Sequence, residues 1–301
     1  MTSAQPRSIE QYLEALCEAL QGADPALVHD ALYDAEEHLR AELAQRPDLD
    51  ETAMLAQVAD SYGDPQEVAD AYRASERNVQ AALRTPAPTA RSSGLGRFFG
   101  VYADPRTWLS LLYLLLSLLT GVAYFTFATV GLSMSIGLAI LIIGVPFFLL
   151  FIGATRMIAL MEGRLVEALL GTRMPRRPRY PDRATPWPQR ILAMLKDPRT
   201  WGTLLYLLLM MPLGVIYFSF AVIGVVTSVA LVIAPLLLLG YHAGVVQLDG
   251  VVVSGPNHPA LLPLVAIAGA LLLTVTLHLA RGIGQLHGQL AKALLVSSGS
   301  D

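Results

Sequence analysis

A single cysteine, Cys17, in 301 residues excludes an internal disulfide and any cysteine-rich metal site. Charge is missing from whole segments as well: residues 108–160 carry only Arg156, and residues 201–248 and 261–280 carry none. A helix needs about 20 residues to cross a hydrocarbon core of roughly 30 Å, so each run is long enough to span and a wholly soluble fold is excluded. The chain also lacks a Walker-type phosphate loop, an HExxH pair, a GxSxG elbow and a kinase signature. Nucleotide hydrolysis, zinc proteolysis and serine hydrolysis therefore find no support, and neither enzyme activity nor a cofactor or metal is expected. No apolar stretch with a small-residue cleavage site precedes residue 97, so the first membrane segment is expected to direct insertion and leave the preceding residues in the cytoplasm.

What is present falls into two unlike parts. Residues 1–96 hold 7 Arg and 17 Asp or Glu, a net charge of -10, whereas residues 97–301 are basic at +7. The acidic part reads as a water-facing unit over 1–78, followed by a Pro/Ser/Thr-rich flexible linker at 79–96.

Four helix signatures fill the acidic unit. Ser8 and Gln11 form a capping box before Tyr12, Leu13, Leu16 and Leu20, with Cys17 expected in the same core, and Gly22 ends that helix. Asp24 and Pro25 start a second, striped by Val28, Leu32, Ala35, Leu39 and Leu43. Asp48 and Glu51 are expected to open a third, bearing Leu55, Val58 and Tyr62, and Asp64, Pro65 and Glu67 a fourth, bearing Val68, Ala69 and Tyr72. Glu36, Glu37 and His38 are consecutive and point in different directions, which suits a solvated face rather than a metal cluster.

The segments YLEALCEAL, DAEEHLRAEL and SYGDPQEVADAYR, within about residues 8–73, resemble the HAAS-type bacterial signalling domain. That resemblance implies signalling by protein contact, with a PadR-type regulator or a kinase or transporter subunit as the cytoplasmic partner, and no catalysis.

The remainder repeats itself. Residues 97–108, RFFGVYADPRTW, recur as RILAMLKDPRTW at 190–201, and the offset of 93 continues through Tyr113 and Tyr206, Gly121 and Gly214, and Tyr124-Phe125 and Tyr217-Phe218. A second block pairs Arg156, Gly163 and Ala168-Leu169-Leu170 with Arg281, Gly288 and Ala293-Leu294-Leu295 at an offset of 125, so the second copy carries 32 additional residues. The expected division is a first membrane repeat at 97–172, a basic cytoplasmic loop at 173–189, and a second repeat at 190–301 with an outer-side insertion. Asp104 and Asp197 are expected to cap helices beginning at Pro105 and Pro198. Trp108, Trp201, Tyr113 and Tyr206 are expected as interface anchors.

With its repeated DPRTW and apolar runs, the region 97–296 resembles the sensor domain found ahead of many bacterial histidine kinases. The resemblance implies a membrane-embedded sensory role. No kinase region follows, so output is expected through the N-terminal domain or another polypeptide. The fold expected is all-α: a small cytoplasmic four-helix domain joined to a polytopic helical membrane domain of two repeats.

Ten basic residues from Arg156 to Arg199 place the central loop in the cytoplasm of a bacterial inner membrane. The stretch 225–243, containing Pro235, is expected to be re-entrant or broken, leaving four full crossings. His278, Arg106 and Arg199 are the candidate sensing residues, and His242, Asp249 and His258 a weaker outer-side group. Expected partners are membrane lipids, a cytoplasmic protein and a second copy of the chain, with no direct nucleic acid, because the basic loop suits anionic headgroups. The acidic domain is expected to dock on a basic surface, either a separate regulator or the chain's own loop between Arg173 and Arg190. The competing function is a transporter or an accessory subunit of one.

Overall fold

In the computed structural model, residues 6–46, 50–83, 94–138, 144–175, 196, 198–242 and 261–296 are described, and every regular element among them is helical. Four helices form the N-terminal region: α1 (Ile9–Ala19), α2 (Pro25–Gln45), α3 (Glu51–Tyr62) and α4 (Pro65–Leu83). Their starts follow from side chains that satisfy the first free N–H groups. The Gln11 amide donates to Ser8 Oγ at 3.2 Å, Ala26 to Asp24 Oδ1 at 2.9 Å, and Gln66 and Glu67 both to Asp64 Oδ1 at 2.8 Å. After α1, Gly22 takes φ 78°, a left-handed conformation that glycine adopts without a Cβ clash.

Two details differ from expectation here. The cap of α3 is Asp50, whose Oδ1 accepts from Ala53 N at 2.8 Å, while Asp48 lies outside the described residues. Helix α4 runs to Leu83, into the segment read as linker.

The core is one cluster that includes Tyr12, Leu16, Leu20, Leu27, Leu39, Met54, Leu55, Val58 and Val68. α1 packs on both α2 and α4, and Tyr12 ties the cluster to the third turn by donating to the Gly63 carbonyl at 2.9 Å. Cys17 is not part of it. The buried positions of α1 are Ile9, Tyr12, Leu16 and Leu20, and residue 17 is turned about 100° from Leu16, so its thiol is exposed. His38 is no simple solvated residue either, since its ring stacks on Tyr62 at 4.4 Å. No group able to hold a metal ion occurs among the described residues.

Beyond α5 (Gly94–Phe99) and a 3-10 turn at Gly100–Tyr102 come α6 (Pro105–Leu138), α7 (Gly144–Leu170), α8 (Pro198–His242) and α9 (Leu262–Leu295). These four are long and apolar enough to cross a membrane. The re-entrant segment expected at 225–243 does not exist as a separate element. Pro235 lies inside α8, which continues through it for 45 residues, about 68 Å at 1.5 Å per residue. A membrane helix tolerates such a proline when neighbouring groups accommodate the freed carbonyl. The two stretches read as separate therefore form one helix.

The chain divides into two compact units: Met1–Arg84 with Ser133–Leu205 and Leu290–Asp301, and Thr85–Leu132 with Tyr206–Gln289. In the first, Gly202 lets the start of α8 approach the Leu294 carbonyl of α9. In the second, α6 and α8 cross at two glycines. A methyl group on Gly121 would strike the Met210 carbonyl, and one on Gly214 would strike the Ser117 carbonyl. Both pairs of positions, 121 with 214 and 117 with 210, are 93 residues apart. Small residues are what permit this close helix approach in lipid.

Candidate functional site

The first unit joins the acidic helices to the membrane helices through one guanidinium. α7 ends at Gly171, with φ 71°, and the chain then runs non-helically through Arg173. Arg173 is buried, its side chain 10% exposed, and reaches three carboxylates: Asp30 of α2 at 3.2 Å, Glu76 of α4 at 3.2 Å and Glu167 of α7 at 3.4 Å. Each acid is itself less than 10% exposed. A planar fork with five N–H donors suits this multi-sided pairing as lysine would not. Nearby, Lys292 at the end of α9 pairs with Asp24, the residue that caps α2.

In the second unit, three aromatic groups meet inside the helices. The hydroxyls of Tyr113 on α6 and Tyr206 on α8 lie 2.6 and 3.0 Å from Nε2 of His287 on α9. All three residues are fully or almost fully buried. Tyr217 packs edge-on against the same imidazole, ring centroids 5.5 Å apart. Buried polar groups at such a depth are stable only when paired, so the three helices are held in one register around this nitrogen.

A further latch in the same unit closes the start of α6. Asp104 accepts from the Arg106 amide at 3.0 Å and pairs with Arg281 of α9 at 2.7 Å. The Tyr102 hydroxyl lies 2.9 Å from Thr274 Oγ1.

Residues 113–295 match the model of a protein family described as "Putative sensor". The chain belongs to this Sensor family. The matched segment begins at Tyr113 itself and contains Tyr206, His287, Arg173 and Glu167, whereas Asp30 and Glu76 precede it. The histidine-centred triad is therefore wholly within the Sensor region, and the Arg173 cluster couples that region to the helices before it. Comparison with curated proteins and with solved structures gave no match.

The residues singled out from sequence have unequal fates in this Sensor protein. Arg199 lines a cavity of about 160 Å³ in the first unit, and neither Arg106 nor His278 does. His278 stacks on Phe98 at 5.5 Å, with Nδ1 2.9 Å from the Thr274 carbonyl oxygen of the preceding turn. Trp108 and Trp201 are exposed, and the Trp108 indole N–H donates to the Tyr102 carbonyl at 2.9 Å. Tyr113 and Tyr206, expected beside them at the interface, are fully buried instead. Each lies five residues after its tryptophan, about 140° round the helix, and faces inward.

Sequence reading took His278 as the histidine of interest and missed His287. Its only signal was the GQLHG pattern at 284–288, whose small residues mark close helix approach. Asp249, His258, Asp197 and the Arg-rich residues from Arg176 to Arg190 lie outside the described residues, and His242 is the last residue of α8.

Proposed function

We propose that this chain is a non-enzymatic sensor of the bacterial inner membrane, in which the packing of a duplicated membrane domain is relayed to a HAAS-like N-terminal domain facing the cytoplasm. The observation that carries the reading is Arg173, which bonds to carboxylates on α2, α4 and α7. A displacement of α7 changes the distances from Glu167 and Arg173 to Asp30 and Glu76. Buried ion networks tolerate such changes poorly, because a separated buried charge loses about 3–5 kcal/mol. The junction thus has two favourable conditions, fully paired or fully opened to water, which is the behaviour a switch needs. Opening exposes acidic surfaces of α2 and α4, and these suit a basic cytoplasmic partner such as a PadR-type regulator.

The duplication supports the same reading. The glycine crossing of α6 and α8 is reciprocal, and the Tyr113–His287–Tyr206 group joins one tyrosine from each repeat. A pseudo-symmetric pair of this kind can tilt as a unit without leaving a polar group bare.

Spin labels on native Cys17 and on an introduced M161C, both exposed positions of the first unit, test the relay in liposomes. The wild-type protein should give a narrow distance distribution, R173A a broad one and R173K an intermediate one. A distribution unchanged by R173A and by every change of membrane composition would end the proposal.

A further inference from the structure

The cavity beside the relay is lined by Arg156 of α7, by Arg199, Thr200 and Thr203 at the start of α8, and by His29 of α2. Thr200 is 94% buried, since only 6% of its surface is accessible, and its Oγ1 has no hydrogen-bond partner among the described residues. A buried hydroxyl left unpaired costs about 1–3 kcal/mol, so its retention beside two arginines points to a ligand that accepts from it. The lining also includes the apolar Ile152, Leu160 and Leu295. A cavity of this size holds a group of roughly benzene dimensions, which matches a headgroup phosphate with its first carbons.

We propose that the cavity binds an oxyanion of the phosphate type, presented as the headgroup of an anionic membrane lipid, between Arg156 and Arg199 with Thr200 donating to it. Two features favour the lipid over free phosphate. Half of the lining is apolar, and Trp201, Met157 and Met161, each next in sequence to a lining residue, are exposed side chains suited to the acyl and headgroup region. His29 precedes Asp30, which bonds to Arg173 at 3.2 Å, so occupancy bears directly on the helix that holds the relay. The inference rests on the sensor reading for its consequence, and on the cavity alone for binding.

The full chain in neutral detergent is titrated separately with phosphatidylglycerol, phosphatidylcholine and inorganic phosphate, and bound adducts are counted by native mass spectrometry. Phosphatidylglycerol should bind saturably and phosphatidylcholine at least about tenfold more weakly. R156Q/R199Q should weaken phosphatidylglycerol about tenfold or more, and T200V by a smaller factor. T200V should raise the lipid-free melting temperature or leave it unchanged, but not lower it, which separates binding from folding. If inorganic phosphate competes with phosphatidylglycerol at similar concentration and shows the same arginine dependence, the oxyanion site stands and its source is a free anion. Equal binding of the two lipids, or wild-type affinity in both variants, overturns the site. Such a failure, with the Cys17–M161C distances still broadened by R173A, sinks the lipid site and leaves the relay intact.

Discussion

Tyr113 and Tyr206, 93 residues apart, direct their hydroxyls at one atom, Nε2 of His287, at 2.6 and 3.0 Å. Each phenol backs up the other. Removal of one leaves the imidazole nitrogen satisfied by the second, whereas removal of both leaves it bare in a buried site. Y113F and Y206F should each lower stability by about 0.5–1.5 kcal/mol, and the double variant by more than their sum. H287L, which removes the partner the two hydroxyls share, should be as damaging as the double variant. Thermal unfolding in detergent reads these differences, and strictly additive values would show that the tyrosines do not share the histidine.

Leu16 and Cys17 are neighbours with opposite environments, one fully buried and the other exposed. In residues 1–83 expressed alone, a soluble helical domain is expected, with L16A less stable by about 2–5 kcal/mol. C17S should change stability by no more than about 0.5 kcal/mol. Chemical denaturation followed by circular dichroism gives both values, and a large effect of C17S would place the thiol in the core after all.

Alkali should unfold this domain through its tyrosines. Burial first, then the nearby Tyr62, Asp64 and Glu67, push the Tyr12 hydroxyl far above its ordinary value, and burial followed by Asp34 raises Tyr62. A raised folded-state value means that the stabilising contribution is complete below the unfolded value of about 10 and is lost as pH rises beyond it. Stability should be flat in this respect up to about pH 10 and then fall. Y12F loses the bond to the Gly63 carbonyl at neutral pH but should show a shallower alkaline decline. An equal decline in Y12F would assign the alkaline transition to other groups.

If each of the four helices long and apolar enough to cross a membrane spans it once, both ends of the chain are expected on one side. A reporter active only in the cytoplasm should work when fused either before Met1 or after Asp301, and should be silent when inserted beside Ser254. Activity at Ser254 together with silence at Asp301 would require an odd number of crossings.

Local chemistry made much of this protein legible in its sequence. The caps at Ser8, Asp24 and Asp64 and the apolar stripe of α1 depend on spacings of a few residues, and the apolar runs of α6 to α9 on composition alone. Those signals gave the all-helical class but not the division of the second apolar region, where two stretches read as separate form one helix. They could not show which face of a membrane helix turns inward, because lipid-facing and helix-facing positions are both apolar; Tyr113 and Tyr206 thus read as anchors, and His287 passed unnoticed beside His278. Nor could spacing reveal the ion cluster, in which Arg173 meets Asp30 across 143 positions and Glu76 across 97. Only the tertiary structure decides such pairings, since charges distant along the chain become partners when packing removes the water that would otherwise separate them.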